Sequence, residues 1–126
     1  MTVVGFFTAG TPRPQGSKRL ARGRMIESSR YLKAWRNAIA LSAIAARQGS
    51  HALFPMRIHA SVRLIFIMPH DPKARPDIDK LARPVLDALK DARIIADDAI
   101  VVHLSATKRR PEDGEQPGVD VLVGGE

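Results

Sequence analysis

Residues 57–68 alternate: Ile58, Ala60, Val62, Leu64, Phe66 and Met68 fall on one side, and Arg57, His59, Ser61 and Arg63 on the other. A period of two sustained over that length marks a strand with one buried face. The fold must therefore supply a sheet and a layer to cover it. Residues 3–8 add a short strand of β-branched and aromatic residues, stopped by Gly10, Pro12, Pro14 and Gly16. From Ser29 the positions Leu32, Trp35, Ile39, Ser42 and Ala46 recur at helical spacing. This predicts a helix capped by Ser28 or Ser29 and ending near Gln48 and Gly49. The proline-rich segment PHDPKARP, 69–76, is a loop because proline cannot donate to a ladder.

Leu81, Val85, Leu86, Ala88, Leu89 and Ala92 make a second helical stripe, with Asp77 or Asp79 available as its cap. Pro84 requires either a kink or a later start. Residues 100–107 alternate again, with Ile100, Val102, Leu104 and Ala106 on the expected core side, and 119–123 form a last strand. The order strand, helix, strand, helix, strand, strand predicts an α+β or two-layer α/β fold: a small mixed sheet with helices packed on it. At 126 residues the whole chain is read as one domain.

The chain has no cysteine, which excludes a disulfide framework, a thiolate metal site and a cysteine nucleophile. No apolar run approaches the length of a membrane span, and the opening MTVVGFFTAG has neither a basic leader nor a long apolar segment. An intracellular protein whose chain starts near Met1 is expected.

The net charge of +7 lies entirely at one end. Residues 1–36 carry Arg13, Lys18, Arg19, Arg22, Arg24, Arg30, Lys33 and Arg36 against Glu27 alone, and the remainder is neutral. A concentrated cationic segment suits a polyanion, since each phosphate neutralised releases a condensed counterion. Nucleic acid is the leading partner, and a solvated basic face is the alternative. Lys73, Arg75 and Lys80 would extend such a phosphate track toward the acidic residues.

Those acids form two pairs, Asp77 with Asp79 and Asp97 with Asp98. If the strands that flank them are neighbours, the pairs can converge, and clustered carboxylates then require a divalent cation to offset their repulsion. Oxygen-only ligation selects Mg²⁺ or Mn²⁺ over zinc. The chemistry this suggests is phosphodiester hydrolysis, with a nearby Arg83 or Lys80 balancing charge on the phosphoryl oxygens. The bland alternative assigns Asp77 or Asp79 to a helix cap and Asp97 and Asp98 to a turn. His51, His59, His70 and His103 show no ligand spacing, though His70 and His103 are placed near one another. Trp35, Tyr31 and the phenylalanines read as core rather than stacking platforms.

The stretch RPDIDKLARPVLDALKDARIIADDAIVV resembles the core motif of the RusA-type Holliday-junction resolvases, and PRPQGSKR and SSRYLKAWR resemble that family's basic entry segment. The resemblance implies Asp77, Asp79 and Asp98 as Mg²⁺ ligands (Mn²⁺ as a substitute), Asp97 in support, and Arg83 at the position of the family's catalytic lysine. Lys80 stands where asparagine is usual, Arg83 where lysine is usual, and Ile100 where many members have glutamine. The implied activity is Mg²⁺-dependent resolution of four-way DNA by paired symmetric cuts, in recombination and repair and often in a prophage setting. Two cuts imply a two-fold homodimer. A non-catalytic branched-DNA-binding module, or a nuclease for flaps, would use the same basic segment.

Overall fold

The computed structural model describes residues 2–15, 24–69 and 76–125, with side chains in the first helix described from Arg30 onward. The elements are β1 (Thr2–Ala9), α1 (Arg24–Gln48), β2 (Ala60–Ile67), α2 (Ile78–Asp91), a 3-10 turn (Asp98–Ile100), β3 (Val101–Arg109) and β4 (Gly118–Gly125). The predicted order and the mixed α+β sheet are found. The strands lie in the order β1-β4-β2-β3. β4 is antiparallel to both of its neighbours, and β2 and β3 are parallel, joined across α2.

Helix and sheet meet at a single apolar core. Val62, Leu64 and Phe66 of β2 and Val119, Val121 and Val123 of β4 are fully buried, as are Ile39 of α1 and Leu81, Val85 and Leu89 of α2. Large apolar side chains of this kind stabilise by about 1.5–3 kcal/mol each when fully buried. Gly10, where the chain leaves β1, has φ +143°, and a Cβ there would meet the Trp35 ring at 3.0 Å. That conformation and that close approach both require glycine.

Four details differ from the sequence reading. α1 begins at Arg24 rather than near Ser29, so Ser28 and Ser29 lie within the helix instead of capping it. β2 begins at Ala60, because His59 adopts a left-handed φ of 32° that breaks the extended chain and leaves Ile58 exposed. Val102 and Leu104 are 55% and 44% exposed, because β3 is an edge strand beyond the cover of the helices. Pro84 lies inside a helix that runs on through it.

Candidate active site

Asp77 occupies the N-cap of α2 with extended backbone (φ −67°, ψ 146°), yet its side chain makes no capping hydrogen bond. The carboxylate is thus exposed and not consumed by the helix, 3.9 Å from Lys80 Nζ. Asp79, in the first turn, lies 4.0 Å from Arg83 Nη2. Both acids stand at the positive end of the helix dipole, where negative charge is tolerated. Their basic neighbours are at long range and in solvent, where such pairs contribute about 0–1 kcal/mol. The cations balance the acids without locking them.

The second pair divides its work. Asp97 is the N-cap of the 3-10 turn, and its Oδ1 accepts the Asp98 amide at 2.8 Å. It also lies 3.9 Å from Lys90. The turn reading therefore holds for Asp97. Asp98 makes no side-chain hydrogen bond or ion pair among the described residues, so its carboxylate is available.

The two pairs stand at opposite ends of the β2-α2-β3 unit. Lys108 Nζ, near the end of β3, donates to the Pro76 carbonyl at 2.9 Å, tying the start of α2 to the finish of that strand. The Lys90–Asp97 contact ties the finish of α2 to the start of β3. Asp79 and Lys90 are about 16 Å apart along the helix at 1.5 Å per residue. Neighbouring strands alone do not make the acids converge: β2 and β3 are parallel, so α2 must run back between them and separates the pairs by its own length. Among the described residues no group of three or more histidine or acidic side chains is gathered tightly enough to hold a metal. The donors are all oxygen, which matches a hard cation such as Mg²⁺ in type. A single chain lacks their gathering.

A family model described as Endodeoxyribonuclease RusA matches residues 8–123. The chain belongs to the RusA family. A search of curated proteins found no match. The RusA match runs from β1 to β4 and includes both ends of α2, so the acid pairs lie within a domain of an endodeoxyribonuclease family.

Three positions depart from the usual RusA pattern, and the structure places each. Lys80 and Arg83 are the neighbours of Asp77 and Asp79 described above. Ile100 is partly buried and packs against the core. Pro84 has a further effect: having no N–H, it leaves the Lys80 carbonyl without its helical donor, and the Gln15 amide fills the place at 2.9 Å. The chain at Gln15 is thereby fastened to the first turn of α2, beside Asp77 and Asp79. The proline four residues after Lys80 was the signal for this contact, legible only with a donor to match it.

Of the predicted RusA DNA contacts, the side chains of Arg13 and Lys80 are described, and the Arg13 guanidinium lies 4.9 Å from the centre of the Tyr31 ring. Tyr31 is exposed, as is Phe7. The reading of these two aromatics as core is corrected, whereas Trp35 is buried as expected. Lys18, Arg19, Arg22, Lys73 and Arg75 lie outside the described residues, as does His70, and the side chain of Arg24 is likewise outside them. His51, His59 and His103 are exposed. Arg36 is occupied elsewhere: its Nε and Nη2 donate to both carboxylate oxygens of Asp91 at 2.8 and 3.0 Å, joining α1 to α2. Those hydrogen bonds, against partial desolvation, hold Asp91 below the usual carboxylate range and raise Arg36. No helix among the described residues is long and apolar enough to cross a membrane.

Proposed function

We propose that this protein is a Mg²⁺-dependent endodeoxyribonuclease, with Mn²⁺ as an alternative ion, that resolves four-way DNA junctions by paired symmetric cuts. The observation that carries the reading is the Asp77 carboxylate. It is held at a helix N-cap without being used there, beside Asp79, in a chain matched to RusA over residues 8–123.

In this reading Asp77, Asp79 and Asp98, held apart within one chain, would hold the ion once the acting form gathers them, and Asp97 supports Asp98 by accepting a hydrogen bond from its amide. Mg²⁺, when bound, supplies Lewis-acid stabilisation of the charge that develops at the scissile phosphate. Water oxygen bonds to phosphorus as the bond to O3′ breaks, and a proton ends on the departing O3′. Arg83 offers guanidinium donors to the phosphoryl oxygens and, being always charged, moves no proton. Arg13 and Lys80, with Lys18, Arg19, Arg22, Arg24, Lys73 and Arg75, contact phosphates, reading junction shape more than sequence. The setting is intracellular and DNA-associated, in recombination and repair, with a prophage as one natural source. The acting form is a homodimer, since one site cannot make both incisions.

The deciding experiment is cleavage of a synthetic four-way junction with and without Mg²⁺, comparing the native chain with Asp79→Asn. Loss of cutting with junction binding retained is the expected result. A native chain that binds junctions but never cuts them in Mg²⁺ or Mn²⁺ would make it a binding module, and equal cutting of flaps at matched salt would make it a general branched-DNA nuclease.

A further inference from the structure

We propose that Lys108 is a positioning residue for Asp77: by holding the peptide group that precedes this aspartate, its ammonium sets the direction in which the carboxylate points. This rests on the reading of Asp77 as a ligand of the divalent ion.

The local chain shows why a holder is needed. An aspartate at a helix N-cap ordinarily fixes its own side chain by accepting an amide of the first turn. Asp77 makes no such bond, so its direction must come from the backbone. Each peptide group is planar, and two of them meet at the Asp77 Cα. The one that follows is pinned by the helix, since the Asp77 carbonyl accepts the Leu81 amide at 3.2 Å. The one that precedes lies outside the helix and needs another partner. Its carbonyl, that of Pro76, accepts Lys108 Nζ at 2.9 Å. With both planes held, φ and ψ of Asp77 stay near −67° and 146°, and the Cα–Cβ bond takes one direction. Only the side-chain torsions are left for the ion to settle.

The lysine comes to this place from another element. Lys108 lies opposite Phe66 in the parallel β2–β3 register, and Phe66 is fully buried beneath the helices, so Lys108 shares the helical side of the sheet. Its part-buried stem carries the charged head to the start of α2. Electrostatics argue against a role in the helix alone. A cation at a helix N-terminus opposes the macrodipole, so a brace selected for helix stability would be neutral or acidic. The charge stands instead one peptide from Asp77, in a charge-assisted bond that is stronger than a neutral one. What it supplies is a fixed carboxylate rather than a tighter helix. Groups that orient metal ligands without touching the metal change affinity or activity by about 10–100-fold when removed.

The test compares Lys108→Met, which keeps the stem and loses the donors, with Lys108→Arg, which keeps a donor. Mn²⁺ affinity by calorimetry, junction affinity, and the single-turnover rate of junction cutting are measured on each. Lys108→Met is expected to weaken Mn²⁺ binding and slow cutting by about 10–100-fold each, with junction affinity unchanged, and Lys108→Arg to recover most of both. Arg36→Gln, which removes the bonds to Asp91 that join α1 to α2, is the control for general loosening: it should melt earlier and keep native Mn²⁺ affinity.

A Lys108→Met chain that melts earlier while Mn²⁺ affinity and cutting rate stay native would make the lysine a brace and overturn the proposal. A loss of junction affinity at an unchanged cutting rate would make it a phosphate contact, with the same consequence. Equal loss of Mn²⁺ affinity in Arg36→Gln would also overturn it. Asp77→Asn, run alongside, separates this inference from the reading beneath it. Native Mn²⁺ affinity in Asp77→Asn removes Asp77 from the metal site and the role of Lys108 with it. Weakened Mn²⁺ binding there, with Lys108→Met at native affinity, defeats the positioning role alone.

Discussion

The Lys80 carbonyl accepts the Gln15 amide at 2.9 Å, and it is free to do so because Pro84, four residues on, has no N–H. A helix defect has been turned into an attachment point for the segment that leads into the basic region. Pro84→Ala would restore the helical donor and compete for that oxygen. Since interior proline is disfavoured by about 3 kcal/mol relative to alanine, the variant should melt at a higher temperature. The Gln15 amide should meanwhile exchange its hydrogen faster, and junction affinity should fall several-fold. Unchanged protection at Gln15 would show that the contact does not depend on the proline.

The different work done by Asp97 and Asp98 predicts different phenotypes. Asp97→Asn keeps an oxygen to accept the Asp98 amide and should leave stability within about 0.5 kcal/mol, whereas Asp97→Ala should cost about 1 kcal/mol. Asp98→Asn removes no hydrogen bond of the described structure, so its melting temperature should match the native chain while junction cutting is lost. Denaturant unfolding alongside cleavage assays separates the three. An Asp98→Asn chain that still cuts at the native rate would remove Asp98 from the site.

Acid should undo one clamp selectively. Arg109 donates to both oxygens of Glu115 at 2.6 and 2.8 Å, and the Glu112 amide adds a third bond, so the Glu115 carboxyl falls from its usual 4.5 to about 2. A depressed folded pKa stabilises fully above the unfolded value and fades as pH falls through the folded one. The contribution should therefore be whole above 4.5 and diminish as pH approaches about 2. A carbon-13 titration of the Glu115 carboxyl with a midpoint near 4.5 would show that the clamp does not persist in solution.

Arg47 closes the far end of α2. Its Nη1 donates to the Ala92 carbonyl at 3.0 Å, at the negative end of the helix dipole, and its guanidinium lies 5.9 Å from the centre of the Phe54 ring. Arg47→Ala should destabilise by about 1–2 kcal/mol in urea unfolding, with Arg47→Lys recovering part of the loss. No change in the midpoint would mean that water replaces the side chain without cost.

The element order was legible because alternation and helical spacing are strong where one face is buried, as in Val62, Leu64 and Phe66. Edge position was not, since Val102 and Leu104 alternate as a core strand would and only the strand order exposes them. The acid pairs were visible as residues. Their separation depends on the direction of β3, which the local pattern does not encode. Asp97 could be told from Asp98 only by seeing which oxygen bonds the backbone. Tyr31 was misread because helical spacing says nothing about a cation arriving from another segment.

β4, the last strand in the chain, sits between the first two. Until it emerges from the ribosome, β1 has nothing to pair with, and β2 has an empty flank where its antiparallel neighbour belongs. Assembly of the sheet must wait for β4 and then close long-range contacts, which makes for slow folding. During that wait the apolar β2 is exposed to other nascent chains, a window in which chaperone capture would decide yield.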